Sequence, residues 1–421
     1  MAVKSPPLSR AAVRPGVVGS GGATPGFLDL VVVGGGGHVG LPLALSFARA
    51  GMHVGIQDIS SATVERIARG EVPFLEAGAE PLLREMLDTD RLELSTDPAM
   101  LGRADVVVII IGTPIDEFFN PAMTIFERAL AEIAPKIREG SLVILRSTVY
   151  PGTTEYVAKA LGDRGLHVDI AFCPERIAEG HALEELASLP QIVGADDPVA
   201  GDRAEALFRR LGATVVRTGA REAELAKLLT NTWRYMKFAI ANQFFMIAET
   251  AGVDYQAVLD AVRRDYPRAA DLPGPGFAAG PCLLKDTMQL AAFTADHFPM
   301  GQSAMQINEG LPAFLVSQIK GRHGDLRGRT VGILGMAFKA ESDDTRASLS
   351  YKLRKLLAWE GARVLCTDPY VRDPRLMPLE QVLAEADLFV VGAPHRRYRE
   401  LDLGGRPVVD VWGSVAGRIG I

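Results

Sequence analysis

The run Gly35-Gly36-Gly37-His38-Val39-Gly40 lies between an apolar stretch, Phe27 to Val33, broken only by Asp29, and a helical pattern, Leu41 to Ala50, closed by Gly51. Glycines in that place let the chain turn out of a strand, admit a pyrophosphate to the backbone, and let the next helix pack on the strand. The anion then meets free amides and the positive end of the helix dipole. A GxGxxG run alone is weak, but here the next apolar stretch, Val54 to Gln57, ends in Asp58. That is about 20 residues on, where the fingerprint needs an acid for ribose hydroxyls. A carboxylate there repels a 2′-phosphate, so NAD is expected rather than NADP. Gly35, Gly37, His38, Val39, Gly40 and Asp58 are the expected cofactor contacts, with His38 a packing or backbone-contact residue.

Alternation of strand and helix continues through Val106 to Ile111, the helix Ile125 to Arg138, Leu142 to Arg146, Val168 to Phe172, Gln191 to Val193 and Thr214 to Val216. Strands separated by helices of this length imply a parallel, doubly wound α/β sheet of Rossmann type. From Arg221 to Ala251 the chain runs helically with neither Pro nor Gly before Ala251, then again at Tyr255 to Arg263 and, less regularly, Met305 to Ile319. This helical central region is long enough to bridge domains or carry a dimer interface. Alternation resumes at Val331 to Leu334, helix Ser348 to Glu360, Arg363 to Cys366, Leu388 to Val391 and Val408 to Val411, a second, smaller Rossmann-like α/β domain. The expected division is a disordered extension over 1–26, a cofactor domain over 27–217, a helical region over 218–322 and an α/β domain over 323–421.

Formal charge is −6, from 45 basic and 51 acidic residues, which supplies no basic field for nucleic acid. No apolar run approaches the roughly 18 residues of a membrane span. Three cysteines among 421 residues argue against a disulfide framework and fit a reducing, cytoplasmic setting. Residues 1–26 lack the apolar core of a secretory leader.

Gly280-Pro281-Cys282-Leu283-Leu284-Lys285-Asp286 places a thiol four residues before a carboxylate, after the glycine-rich run from Pro273. The ordinary fate of a free cysteine is a buried, inert thiol, and Cys173 and Cys366, at strand ends, fit it. Cys282, read as part of a Gly/Pro loop beside Lys285 and Asp286, does not. A thiol together with a hydride-accepting cofactor suits oxidation of one carbon twice, with the intermediate held covalently. Lys227 and Asn231 share one helical face at i, i+4, although spacing alone leaves Lys227 as a snorkelling surface residue. The turns Gly112-Thr113-Pro114 and Ser147-Thr148 end strands, where ligands of open α/β sheets gather.

Together these motifs resemble the UDP-glucose/GDP-mannose dehydrogenase family, from Phe27 onward. The likeness runs in order through Gly35 to Pro42, Gly112-Thr113-Pro114, Ser147-Thr148-Val149 with Gly152-Thr153-Thr154, and Cys173-Pro174-Glu175-Arg176. It continues through Leu225-Ala226-Lys227 to Asn231, Gly280 to Asp286, Gly335 to Lys339 and Asp343-Asp344-Thr345-Arg346. The resemblance implies four-electron, NAD-dependent oxidation of C6 of a nucleotide sugar to the uronic acid through a Cys282 thiohemiacetal and thioester. It implies that Lys227, assisted by Asn231, stabilises the oxyanion, and that Asp286 and Thr148 hold water. Glu175 or Glu179 does the acid–base work, and Glu175, Arg176, Lys227, Asn231, Arg268, Gly276, Lys339 and Arg346 contact substrate. Gly112, Thr113, Ser147 and Thr148 join the cofactor contacts, no metal is implied, and a homodimer or dimer of dimers is expected.

Two departures stand in the thiol loop: Ala279-Gly280-Pro281 replaces the usual Gly-Gly pair, and Leu284 the usual Pro. Substrate clues divide, since Lys285-Asp286 resembles the UDP-glucose and GDP-mannose branches. Tyr266-Pro267-Arg268 with Pro273-Gly274-Pro275-Gly276 resembles the branch acting on UDP-N-acetylhexosamines. Two other readings compete: a two-electron hydroxyacid dehydrogenase, which has no use for Cys282, and a non-catalytic nucleotide-sugar-binding relative.

Overall fold

The computed structural model describes residues 26–113, 116, 123–295 and 297–415. The expected extension over 1–26, apart from Gly26, and Pro114 of the Gly112 turn lie outside the described residues. The chain begins β1 (Leu28–Val33), α1 (Gly40–Arg49), β2 (Val54–Gln57), α2 (Ser61–Ala68), α3 (Ala79–Asp88), β3 (Leu92–Ser95) and β4 (Ala104–Ile109). It continues with α4 (Met123–Ile133), β5 (Leu142–Leu145), α5 (Thr153–Gly162), β6 (Asp169–Phe172), α6 (Ala182–Ser188), β7 (Gln191–Gly194), α7 (Pro198–Arg209) and β8 (Val215–Thr218).

These eight strands form one sheet in the order β3-β2-β1-β4-β5-β6-β7-β8. Strands β4 and β5 read as near-continuous apolar runs because helices cover both faces of the sheet. Strand order reverses between β1 and β4, which opens a crevice at their carboxyl ends, beside Gly34 and Ile110. Two features differ from the expected sheet. Strand β3 was not anticipated: it is a four-residue edge strand, half-buried throughout, with too little apolar sequence to stand out. Strands β6 and β7 meet antiparallel, through Phe172 and Gly194, whereas every other pair in the sheet is parallel.

Helix α8 (Ala220–Thr250) is 31 residues, about 46 Å at 1.5 Å per residue. It packs against α10 (Leu283–Phe293), α11 (Pro299–His323) and α9 (Tyr255–Arg263), and touches β7. Helix α10 corrects the sequence reading, which placed Cys282 in a Gly/Pro loop. Cys282 is instead the N-cap of α10 and Asp286 sits in its first turn. The Gly/Pro-rich approach obscures a helix that starts at the thiol itself. Helix α11 also begins earlier than its irregular pattern suggests, on Pro299, whose missing N–H costs nothing in a first turn.

The second sheet runs β10 (Arg363–Thr367), β9 (Thr330–Leu334), β11 (Leu388–Val391), β12 (Val408–Val409), all parallel, with α12 (Leu349–Trp359) and α13 (Leu379–Glu385). Asp368, just beyond β10, corresponds in place to Asp58 beyond β2. Its carboxylate accepts the amides of Met336 (2.6 Å), Ala337, Tyr370 and Val371 and faces Nε2 of buried His395 at 3.1 Å. That acid is consumed inside its own turn, which suits a Rossmann-like sheet without the glycine fingerprint.

Candidate active site

Lys227 and Asn231 are both buried, one turn apart on α8. Asn231 Nδ2 donates to Asp286 Oδ2 at 2.5 Å, which ties α8 to α10. Asp286 is fully buried, and its Oδ1 is 2.5 Å from Nζ of Lys285. Lys227 Nζ donates to the carbonyl of Glu175. Cys282 is open to solvent at the head of α10. Burial of the surroundings and the nearby Asp286 carboxylate push its thiol up, against the opposing pull of Lys227 and Lys285. Burial pushes Lys227 down, countered by Asp286, Cys282 and Glu175. Cys173 and Cys366 behave as inert core thiols, raised by burial to about 12 and about 11.

The loop ahead of the thiol is fixed from the second sheet. Gly280 holds a φ of +96°, and a Cβ there would stand 2.7 Å from the ring of Phe338. The altered sequence Ala279-Gly280-Pro281 therefore keeps glycine at the position that needs it.

The two expected carboxylates have different employments. Glu175 is buried, and its Oε2 takes Arg146 Nε at 2.9 Å and also Arg146 Nη2. Its Oε1 takes the amides of Arg176 (2.7 Å) and Ile177 (2.9 Å). Both oxygens are spent on shaping the segment after β6, so Glu175 serves the site through its carbonyl, as the acceptor for Lys227. Glu179 lies near the Cys282 thiol and acts on it electrostatically. Burial and then neighbouring Asp344 raise its carboxyl to about 7. This range suits a base that must both take and release a proton at neutral pH.

The second sheet closes on the same place. Arg346 Nη2 donates to Glu179 Oε1 at 3.0 Å, and Lys339 Nζ to the Glu179 carbonyl. Arg346 is itself held by Asp344, through Nε at 2.8 Å and Nη2 at 2.5 Å. His38, in the glycine turn, stacks on Phe74 with centroids 4.1 Å apart. Burial and then Arg346 push its imidazole down, towards the neutral form.

At the crevice, a Cβ on Gly40 would stand 2.6 Å from Gly34 O, so α1 packs hard on the strand, whereas Gly37 faces open space with only Gly34 O within 4 Å. The N-cap Val39 supplies no side-chain cap, which leaves the first amides of α1 unclaimed by it. Asp58 closes the far side, its Oδ2 accepting Gly36 N at 3.0 Å and its Oδ1 accepting Ser60 N at 3.0 Å. These residues fit a dinucleotide: an uncapped helix N-terminus for the pyrophosphate and a carboxylate at the ribose position. Gly112 opens to space beside it. Ser147 Oγ accepts the Ile111 amide at 2.7 Å, and Thr113 Oγ1 donates to the Thr148 carbonyl at 2.5 Å.

Three expected substrate contacts have other partners in the single chain. Arg176 donates to the Pro190 carbonyl. Arg268 lies over the ring of Tyr266, 4.8 Å from its centroid. Gly276 is clasped by Asn242 through both backbone atoms and sits where a Cβ would strike Trp412 at 2.2 Å. Sequence reasoning missed Arg146, Asp344 and Glu224. Glu224, buried on α8, accepts Gly152 N at 2.6 Å, Thr154 N at 2.8 Å and Thr154 Oγ1 at 2.6 Å. The hint in the sequence was its spacing, three residues before Lys227 on the face that carries Asn231.

A dinucleotide crevice beside a solvent-facing thiol, with a buried lysine and an Asn–Asp pair at its base, defines an NAD-dependent dehydrogenase. The chain matches the NAD binding domain of the UDP-glucose/GDP-mannose dehydrogenase family over residues 29–212, its central domain over 221–310 and its UDP binding domain over 332–415, and belongs to that family. It is similar to the UDP-N-acetyl-D-mannosamine dehydrogenase of Pyrococcus horikoshii, 31% identical over 378 residues, 87% of this chain and 89% of the relative. Among solved structures, the UDP-D-ManNAc dehydrogenase of the same organism superposes with a TM-score of 0.86 at 29% identity, covering 93% of this chain and 98% of the other. A UDP-glucose dehydrogenase from Pyrobaculum islandicum superposes with a TM-score of 0.87 at 29% identity, covering 95% and 98%.

Proposed function

We propose that this enzyme oxidises the C6 hydroxyl of a UDP-linked N-acetylhexosamine to the carboxylate, and that Cys282, Lys227, Asn231, Asp286, Glu179 and Thr148 carry the reaction. The observation that carries this reading is the convergence of an exposed thiol, a buried lysine, the Asn231–Asp286 pair and Glu179 between the two sheets. Among UDP-linked sugars, the N-acetylhexosamine is favoured by Tyr266-Pro267-Arg268 and by the name of the 31%-identical relative. A UDP-hexose is the second reading, favoured by Lys285-Asp286.

Gly35, Gly37, Val39, Gly40 and Asp58 would hold NAD, with Gly112, Thr113, Ser147 and Thr148 on the opposite wall of the crevice and His38 packed behind the turn. NAD supplies the hydride acceptor, one molecule for each of the two oxidations. Lys227 faces the C6 oxygen as negative charge develops there. At the aldehyde, the Cys282 Sγ–C6 bond forms, Glu179 takes the thiol proton, and the carbonyl oxygen becomes the thiohemiacetal oxygen beside Lys227. Glu179 passes the thiol proton to solvent before hydrolysis; at the thioester, water held by Asp286 and Thr148 attacks C6 and gives its proton to the ionised Glu179. The C6–Sγ bond breaks and the thiolate returns to Cys282. Lys339 and Arg346, with Asp344 behind them, would fix the sugar nucleotide from the second sheet.

We also propose that residues 27–217 hold the cofactor, 218–322 join the halves and dimerise, and 323–421 hold the nucleoside diphosphate. Three free cysteines support a reducing, cytoplasmic setting; among the described residues no helix is long and apolar enough to cross a membrane.

The test is NADH formation from NAD with UDP-N-acetylmannosamine, UDP-N-acetylglucosamine, UDP-glucose and GDP-mannose. Two NADH per UDP-N-acetylhexosamine consumed is the expected result. One NADH per sugar would replace this reading by a two-electron dehydrogenase, and none with any sugar would leave a binding protein.

A further inference from the structure

Glu179 meets more than the thiol. Its Oε1 takes the Arg346 guanidinium at 3.0 Å, but its Oε2 is buried and receives no hydrogen bond. Facing it are Asp344, Arg346 and Lys339 from the second sheet, His38 from the glycine turn and Cys282 from α10. One oxygen each of Glu179 and Asp344 and one ring nitrogen of His38 lie within 4.8 Å of one another. A buried carboxylate oxygen without a donor is costly, whereas a protonated carboxyl turns the same oxygen into a donor. Two carboxyls this close each disfavour the other's ionisation.

Asp344 is the member that stays ionised. Burial works against its charge, yet the backbone amide (2.8 Å) and guanidinium (2.5 Å) of Arg346 outweigh it and hold the carboxyl below the usual carboxylate range. Glu179 lacks such a clamp: Arg346 reaches it through one nitrogen only.

We propose that Asp344 is a positioning residue for Glu179: the two carboxyls face each other between the glycine turn and the second sheet and hold one proton between them. The arrangement rests on the reading of Glu179 as the base of a Cys282-centred dehydrogenase. Asp344 thereby acts twice, orienting Arg346 and raising the proton affinity of Glu179, so that the ionised carboxylate takes the thiol proton and solvent removes it afterwards. Because Asp344 lies in the segment after β9 of the second sheet and Glu179 in the segment after β6 of the first, the base is tuned only while the two halves meet.

The proton is observable without turnover. In infrared difference spectra titrated from acid to alkaline pH, the wild-type enzyme is expected to lose a protonated-carboxyl band near neutrality. That band should be missing in Glu179→Gln. In Asp344→Asn it should titrate at least ~1 pH unit lower, because a like charge has been removed. Arg346→Met, which removes the compensating cation, should move it the opposite way and serves if the first variant does not fold. The acid limb of kcat should follow the band in each variant that turns over, beyond any change in KM. A wild-type band that titrates in the ordinary carboxyl range, or one that neither variant moves, would overturn the pairing. The substrate panel above tests the dehydrogenase reading separately, because the spectra need no substrate.

Discussion

At the scale of single residues, the site divides labour among groups that look alike in the sequence. Cys282 is proposed as the reactive thiol because it alone of the three cysteines is exposed and feels two lysines at once. Replacing it in Cys282→Ser should cut uronate formation at least ~10³-fold while leaving NAD affinity unchanged by calorimetric titration, since covalent capture is lost and the crevice is not. Glu175 and Glu179 are four residues apart and both acidic, yet a substitution should separate them. Glu175→Gln weakens the partner of fully buried Arg146 and should lower unfolding free energy by about 3 kcal/mol in a denaturant titration. Glu179→Gln should leave stability near wild type and instead remove the acid limb of the kcat profile. That limb lies near pH 7 because the carboxyl is raised to about 7, so activity falls as pH drops through that value. Equal stabilities for both variants with equal losses of kcat would erase the distinction.

At the scale of elements, α8 is the beam on which the proposed chemistry is aligned. Glu224, Lys227 and Asn231 occupy one face of it, at positions that bring its first four turns against the α5 N-terminus, Glu175 and Asp286 in turn. Glu224 satisfies the amides that open α5, so it sets how Lys227 stands relative to the Thr148 loop. Glu224→Gln keeps the shape but turns one acceptor into a donor facing Thr154. It should lower kcat about tenfold, a cost of ~1.4 kcal/mol, with little change in sugar-nucleotide KM, and Glu224→Asp should recover part of it. A loss confined to KM would argue against the helix as the aligning element. The sequence announced α8 by its length without Pro or Gly, and the central strands by their apolar runs, because burial on both faces leaves such marks. It hid α10, whose start is masked by Gly280-Pro281, and β3, which buries too little to be patterned. The lysine, asparagine, cysteine and aspartate were legible as ordered motifs. Arg146, Asp344 and the separate tasks of the two glutamates were not, since each depends on a partner 29 or more positions away or across the two sheets, where local spacing carries no information.

At the scale of the whole molecule, the other face of α8 remains to be accounted for. Leu229, Trp233, Ile240, Phe244 and Ile247 are 40–57% exposed and recur at spacings of four, seven, four and three, within one stripe turned away from Lys227 and Asn231. Val258 and Val262 of α9 add a second exposed pair at i, i+4. A contiguous apolar stripe of this length on a surface helix marks an interaction site, and in a homo-oligomer a two-fold axis lets one patch cover its own copy. The proposed dimer thus places the catalytic face of each α8 inward and the apolar face against the second copy. Phe244→Asp combined with Ile247→Asp should convert a two-chain mass to a one-chain mass by light scattering at micromolar concentration, while circular dichroism stays unchanged. Retention of the two-chain mass in that variant would move the interface elsewhere, and a wild-type mass of one chain at all concentrations would remove it. If the helix is held straight by the second copy, the dissociated variant should also lose kcat in the same direction as Glu224→Gln, because both changes free the beam that aligns Lys227 with Cys282.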